Sequence, residues 1–187
     1  DVLWMNIFQK SSYYFVALFL VLIIAGKIPA IMVRTSIVEL EKVDPSKYDI
    51  VFIYGVRGNR KDPVNKLDTI KDVFTKDMVA DPPITFDLEL SNQDIAGIIL
   101  KMNQIEFWKY PTIYTPRNTG ASVTPFMTYD LTVYENGRLL KRVRMDTDIW
   151  SQDLYTSNLR SLFGLIISTI ENSEEYQNSP RPTSGYC

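Results

Sequence analysis

The sequence predicts an α+β fold: a two-layer domain behind an N-terminal apolar helix. Three observations point to it. Short runs rich in β-branched and aromatic residues follow one another, an Asn-Gly pair separates two of them, and two stretches carry apolar residues at helical spacing. The expected order is three strands, a helix, a hairpin and a last helix. Hairpin connections favour an antiparallel sheet of about five strands, with two amphipathic helices covering its apolar face. Residues 1–35 are expected to be a signal peptide or signal anchor, 36–47 a linker, 48–173 the domain and 174–187 an extended polar tail.

The first element is set by its lack of charge. From Ser11 through Gly26 there is none, while Lys10 precedes the run and Lys27 and Arg34 follow it. The core, Tyr13–Gly26, fits the apolar region of a secretory signal behind a short basic start. Ala25, Gly26 and Ala30 offer small residues for cleavage. If Lys27 snorkels, the apolar region reaches Val33, which approaches the roughly 20 residues that span a bilayer. Either way the C-terminal domain is exported, and Tyr13–Val33 contacts membrane if it is not cleaved.

Tyr48–Tyr54, YDIVFIY, reads as a buried first strand, after a turn at Asp44-Pro45-Ser46. Gly55–Pro63 is a glycine-bearing loop without the Gly-Lys-Ser/Thr ending of a phosphate cradle. Leu67–Met78 leans towards a second strand, with Asp81-Pro82-Pro83 ending it. Ile84–Leu90 alternates strictly, as a strand with one wet face does. Ser91 to Asp94 forms a capping-box pattern ahead of a helix with Ile95, Ile98, Ile99, Met102 and Ile105 on one face. Phe107, Trp108 and Tyr110 are expected to close the core, and Pro111 ends the element.

Thr112–Pro125 is a long polar loop, and such loops tend to carry function. Its Thr115, Arg117, Asn118 and Thr119 are the candidate binding residues. Phe126–Tyr134 and Leu139–Met145 flank Asn136-Gly137 as a hairpin, because both turn positions require positive φ. Arg138, Lys141, Arg142 and Arg144 gather on its second strand, as a solvated or edge-protecting face. The last helix, about Ser157–Asn172, carries a stripe from Leu159 to Ile170.

Composition narrows the chemistry. Without the first 35 residues the chain holds 17 basic and 21 acidic residues, and no basic stripe is interleaved with aromatics. Nucleic acid is therefore an unexpected partner. Histidine is absent and Cys187 is the only cysteine. Ser-His-Asp and Cys-His catalysis, histidine zinc sites and internal disulfides are all excluded from this sequence. Asp146, Asp148 and Asp153 suggest the start of a calcium loop, but the glycine and closing glutamate of that pattern are missing, so no metal or other cofactor is assigned. Asp77, Asp81, Asp146 and Asp148 are the carboxylates from which a histidine-free glycan hydrolase would draw an acid/base pair. No catalytic residue is assigned.

Thr75-Lys76-Asp77-Met78, Asp81-Pro82-Pro83-Ile84-Thr85, Lys101-Met102, Ile105-Glu106-Phe107, Tyr110-Pro111, Pro180-Arg181 and Gly185-Tyr186 carry a resemblance. Over residues 48 to 187 the chain resembles uncharacterised exported, lipoprotein-like proteins of Gram-positive bacteria. The resemblance implies a location at or outside the cell membrane and no activity. Lys27 stands where a lipid-bearing Cys would follow Ile24-Ala25-Gly26, against lipid anchoring. The expected function is a non-catalytic exported or membrane-tethered binding domain with a protein or envelope partner. The alternatives are a small subunit of a membrane complex and a carboxylate-only hydrolase.

Overall fold

The computed structural model describes residues 43–57, 63–116, 124–149, 151 and 153–183. The apolar run Tyr13–Val33, the loop residues Arg117, Asn118 and Thr119, and Cys187 lie outside them. No described helix is long and apolar enough to cross a membrane.

The fold is α+β, as expected, but the sheet has seven strands among the described residues rather than about five. In chain order they are β1 (Tyr48–Arg57), β2 (Asn65–Asp68), β3 (Val73–Lys76), β4 (Ile84–Asp87), β5 (Ile113–Tyr114), β6 (Phe126–Glu135) and β7 (Arg138–Asp146). The helices are α1 (Asn92–Gln104), α2 (Leu154–Asn172) and a short α3 (Glu174–Asn178). Spatial order is β4-β3-β2-β1-β6-β7-β5.

Two expectations account for the difference in count. Leu67–Met78 is not one strand. It folds back at Thr69–Asp72, with Asp72 at φ 52°, so that Leu67 pairs with Phe74. Both side chains then enter the core, which a continuous strand would not allow for residues an odd number apart. Ile113–Tyr114, expected as loop, pairs parallel with Arg144–Met145 of β7. The sheet is thus antiparallel except at this edge.

The clearest alternating stretch behaves as expected in burial but not in pairing. β4 leaves the ladder after Asp87, yet Leu88 and Leu90 are still buried and Glu89 is exposed. The Leu88 N–H donates to the Asp72 carbonyl at 2.8 Å, which satisfies the backbone where pairing stops.

Local chemistry explains the helix and hairpin ends. Ser91 Oγ accepts the Asp94 N–H, and the Asp94 carboxylate accepts the Ser91 N–H, both at 3.2 Å. The capping box predicted for α1 is complete. Asn136 and Gly137 adopt φ 51° and 73°, as the turn between β6 and β7 demands. α2 begins three residues before its expected start, at Leu154, because Asp153 caps it. The tail, expected to be extended, forms α3 on a Ser173 cap and packs Tyr176 edge-on to Phe74, with centroids 5.8 Å apart.

Both long helices lie on one face of the sheet. The core there joins Ile50, Phe52, Leu131 and Val133 of the central strands to Ile98, Ile99 and Met102 of α1 and Leu159, Phe163 and Ile166 of α2. Phe163 stacks on Phe52 and Tyr129 with centroids 5.5 and 4.8 Å away. The other face is mostly polar. Directly opposed residues across it run Thr85, Thr75, Lys66, Ile53, Asp130, Arg144. Arg142 holds Asp130 in a two-pronged hydrogen bond at 2.9 and 2.6 Å. Part of the basic group on β7 is therefore engaged in ion pairs within the sheet face.

Candidate functional site

The site grows from the turn that follows α1. Ile105 is buried, and Glu106 takes a left-handed conformation at φ 54°, an unusual one for a side chain of this size. The chain then makes a 3₁₀ turn over Phe107–Lys109 and straightens at Tyr110. Phe107 and Tyr110 are buried, as expected of aromatics that close the core. Pro111 follows, and β5 attaches to the end of β7. This path sets Tyr110 and Tyr114 side by side, with ring centroids 5.5 Å apart and planes at 67°. The first turn of α2 brings Tyr155 to the other side of Tyr110, at 6.0 Å and 76°.

The three rings line a cleft of about 260 Å³, rimmed by Glu106 and Lys109, whose charges pair at 2.6 Å. Two of the hydroxyls are turned to structural use. Tyr110 donates to the Tyr155 carbonyl at 3.0 Å. The Tyr114 hydroxyl donates to Asp153 at 3.2 Å and lies 3.0 Å from Thr156 Oγ1. What Tyr110 and Tyr114 offer the cleft is consequently ring surface. Burial raises the Tyr110 hydroxyl above its ordinary value, against a hydrogen bond with Asn158 that lowers it. Tyr155, which lines the cleft, is 57% exposed, and its sequence neighbour Leu154 is 70% exposed; Ile113, also 70% exposed, lines a second hollow. Large apolar side chains grouped on a surface mark interaction sites more often than singly scattered ones do.

Tyr114 also walls a second, smaller hollow of about 120 Å³, shared with Thr115, Arg144, Asp146 and Asp148. Here three of the sequence candidates meet: Thr115 from the loop, and Asp146 and Asp148 from the end of β7. Asp146 accepts a hydrogen bond from Thr128 at 2.8 Å and lies 3.4 Å from Arg57 and 3.7 Å from Arg144. Asp153 is placed differently, at the cap of α2. Burial by itself would push its carboxyl up, but hydrogen bonds from Ser151, Thr156 and Tyr114 outweigh that and hold it well below the usual carboxylate range. Among the described residues no group of three His, Cys, Asp or Glu is arranged to hold a metal ion.

The other carboxylates lie across the sheet. Asp77 is buried and accepts the Val79 N–H at 2.9 Å, while Asp81 accepts from Thr183 at 2.7 Å. They follow β3, four strand spacings from β7. At roughly 4.8 Å per spacing that is about 19 Å, well beyond the roughly 6.5–9.5 Å of a glycosidase acid/base pair. Asp77 and Asp146 therefore do not form one site.

Sequence reasoning did not single out Tyr114 and Tyr155, and it assigned Tyr110 to the core alone. They stand 41 positions apart, and only the parallel attachment of β5 and the start of α2 unite them. No family model matches the chain, and no curated protein matches it.

Proposed function

We propose that this chain is a non-catalytic binding module of the cell envelope, exported by its apolar N-terminal run and tethered to the membrane where that run is retained. The cleft formed by Tyr110, Tyr114 and Tyr155 takes an apolar or aromatic group of a protein or envelope partner. One observation carries this reading: three tyrosine rings, two with hydroxyls committed to the fold, line one cleft, and the third, Tyr155, is itself 57% exposed. Thr115, from the Thr112–Pro125 loop, lines the hollow that shares Tyr114 with the cleft. The absence of histidine from the sequence and its resemblance to exported lipoprotein-like proteins support the same reading.

The test is site-specific photocrosslinking of the full chain in its own cells. A crosslinker at Leu154 reports the cleft, and one at Thr85, on the opposite edge of the sheet, is the control. A discrete adduct at residue 154 that disappears with Tyr155→Ser supports the proposal. An adduct with a membrane protein that also co-purifies makes the chain a subunit of a complex. The same diffuse pattern at both positions overturns the cleft as a binding site.

A further inference from the structure

The β6–β7 hairpin ends in a feature that the cleft does not use. Its turn is followed by Arg138-Leu139-Leu140-Lys141, and Leu139 and Leu140 are 63% and 44% exposed. A register shift lies at this end of the hairpin, between Val133 and Tyr134, and it leaves Leu140 outside the one-to-one pairing. Bulges of this kind re-aim side chains at a strand end. Two adjacent exposed leucines bracketed by cations have the composition of a surface that meets anionic lipid, with apolar groups to enter the interface and positive charge to meet headgroups.

The fold places this tip where the chain enters the domain. Tyr48, the first residue of β1, pairs with Glu135, and the Asn136 N–H donates to the Lys47 carbonyl at 2.7 Å. Fourteen residues, 34–47, separate Val33 from Tyr48. Fully extended they reach at most about 50 Å, so a tether at Tyr13–Val33 keeps the tip at high effective concentration near the bilayer. The cleft lies at the other end of β7, where Tyr114 pairs with Met145. Six residues at about 3.4 Å each place Met145 about 20 Å from Leu139.

We propose that the β6–β7 tip, through Leu139, Leu140, Arg138 and Lys141, docks on an anionic lipid surface and so presents the tyrosine cleft away from the membrane. This rests on the reading of Tyr13–Val33 as a retained membrane segment. The neighbouring cations Lys47 and Arg142 are paired with Asp44 and Asp130, and Glu135 sits opposite Arg138. The attraction is therefore local to the tip and depends on its leucines as well as its charge.

The experiment uses the full chain with Cys187→Ser, reconstituted into vesicles of phosphatidylglycerol and phosphatidylethanolamine. An environment-sensitive fluorophore is attached at Leu139→Cys, or at Thr85→Cys as the control. The expected result is a blue-shifted probe at residue 139, quenched by spin-labelled lipid and reversed in vesicles of phosphatidylcholine alone, with the residue 85 probe in water throughout. Leu140→Cys repeats the test should Leu139→Cys fail to fold. A vesicle-retained chain whose tip probe stays in water overturns this inference and leaves the cleft untouched. A blue shift without lipid quenching also overturns it, making the tip a contact between copies. A chain released from the vesicles by carbonate overturns the tether and this inference together.

Discussion

Replacing Asp153 by alanine tests whether the cleft wall and the start of α2 are one unit. The Asp153 carboxylate accepts the Thr156 N–H at 3.0 Å, the Thr156 hydroxyl at 2.6 Å, the Ser151 hydroxyl at 2.5 Å and the Tyr114 hydroxyl at 3.2 Å. Losing a helix cap costs about 1 kcal/mol. The Ser151 residue is fully buried, and leaving its hydroxyl proton without an acceptor adds about 1–3 kcal/mol even though the residue 153 N–H still donates to its oxygen at 3.4 Å, whereas Thr156 keeps Tyr114 as a neighbour. The expected loss is about 2–4 kcal/mol, a large share of the roughly 5–15 kcal/mol of an ordinary domain. Its pH dependence has a definite sign. The folded carboxyl is held below its unfolded value, so the unfolded state binds the proton more readily. The stabilisation is present above about pH 4 and is lost as pH falls through the folded value. Urea unfolding of the full chain in mild detergent, followed by circular dichroism, reads both effects. A loss below about 0.5 kcal/mol, or a gap that stays constant from neutral pH to below about pH 3, would refute the reasoning.

Three further outcomes follow from the packing and the charges. Phe163→Ala removes a ring stacked on Phe52 and Tyr129 at 1% exposure and should cost about 3–5 kcal/mol in the same unfolding experiment. Gly137→Ala places a Cβ at φ 73° and should cost about 1–2 kcal/mol, seen as a lower melting temperature with an unchanged circular dichroism spectrum. Lys76 is 4% exposed, with its ammonium over the Tyr176 ring and on the Ser179 hydroxyl, and burial, then Arg181, lowers its value against the opposing effect of Glu171. A lysine lowered in the folded state makes stability rise with pH as it approaches 10.5. The stability of Lys76→Met relative to the native chain should therefore fall across that window, whatever its starting sign, and a relative stability that rises would contradict the assignment.

Elements governed by neighbours in sequence were legible, and those governed by distant contacts were not. The capping box at Ser91, the Asn136-Gly137 turn and the stripes of α1 and α2 are settled by residues a few positions apart, and each formed as read. The reversal at Thr69–Asp72 carries no glycine or proline, so its strand-like flanks merged into one stretch in the sequence. β5 is two residues long and owes its pairing to β7, about thirty positions away, which no local pattern announces. The cleft inherits that difficulty. Thr115, Asp146 and Asp148 were legible as polar loop residues and do converge, but Tyr114 fell in the expected loop and Tyr155 just ahead of the expected last helix, with nothing local to single either out. Asp153, grouped in the sequence with Asp146 and Asp148, instead caps α2.

The central claim is that the folded domain works outside the cytoplasm with its cleft free to meet a partner. Labelling with a membrane-impermeant maleimide tests it most directly, on a Cys187→Ser chain carrying Glu175→Cys at an exposed position of α3. Modification in intact expressing cells, without permeabilisation, is the result this account predicts. Modification only after the cells are opened would place the domain in the cytoplasm and contradict it.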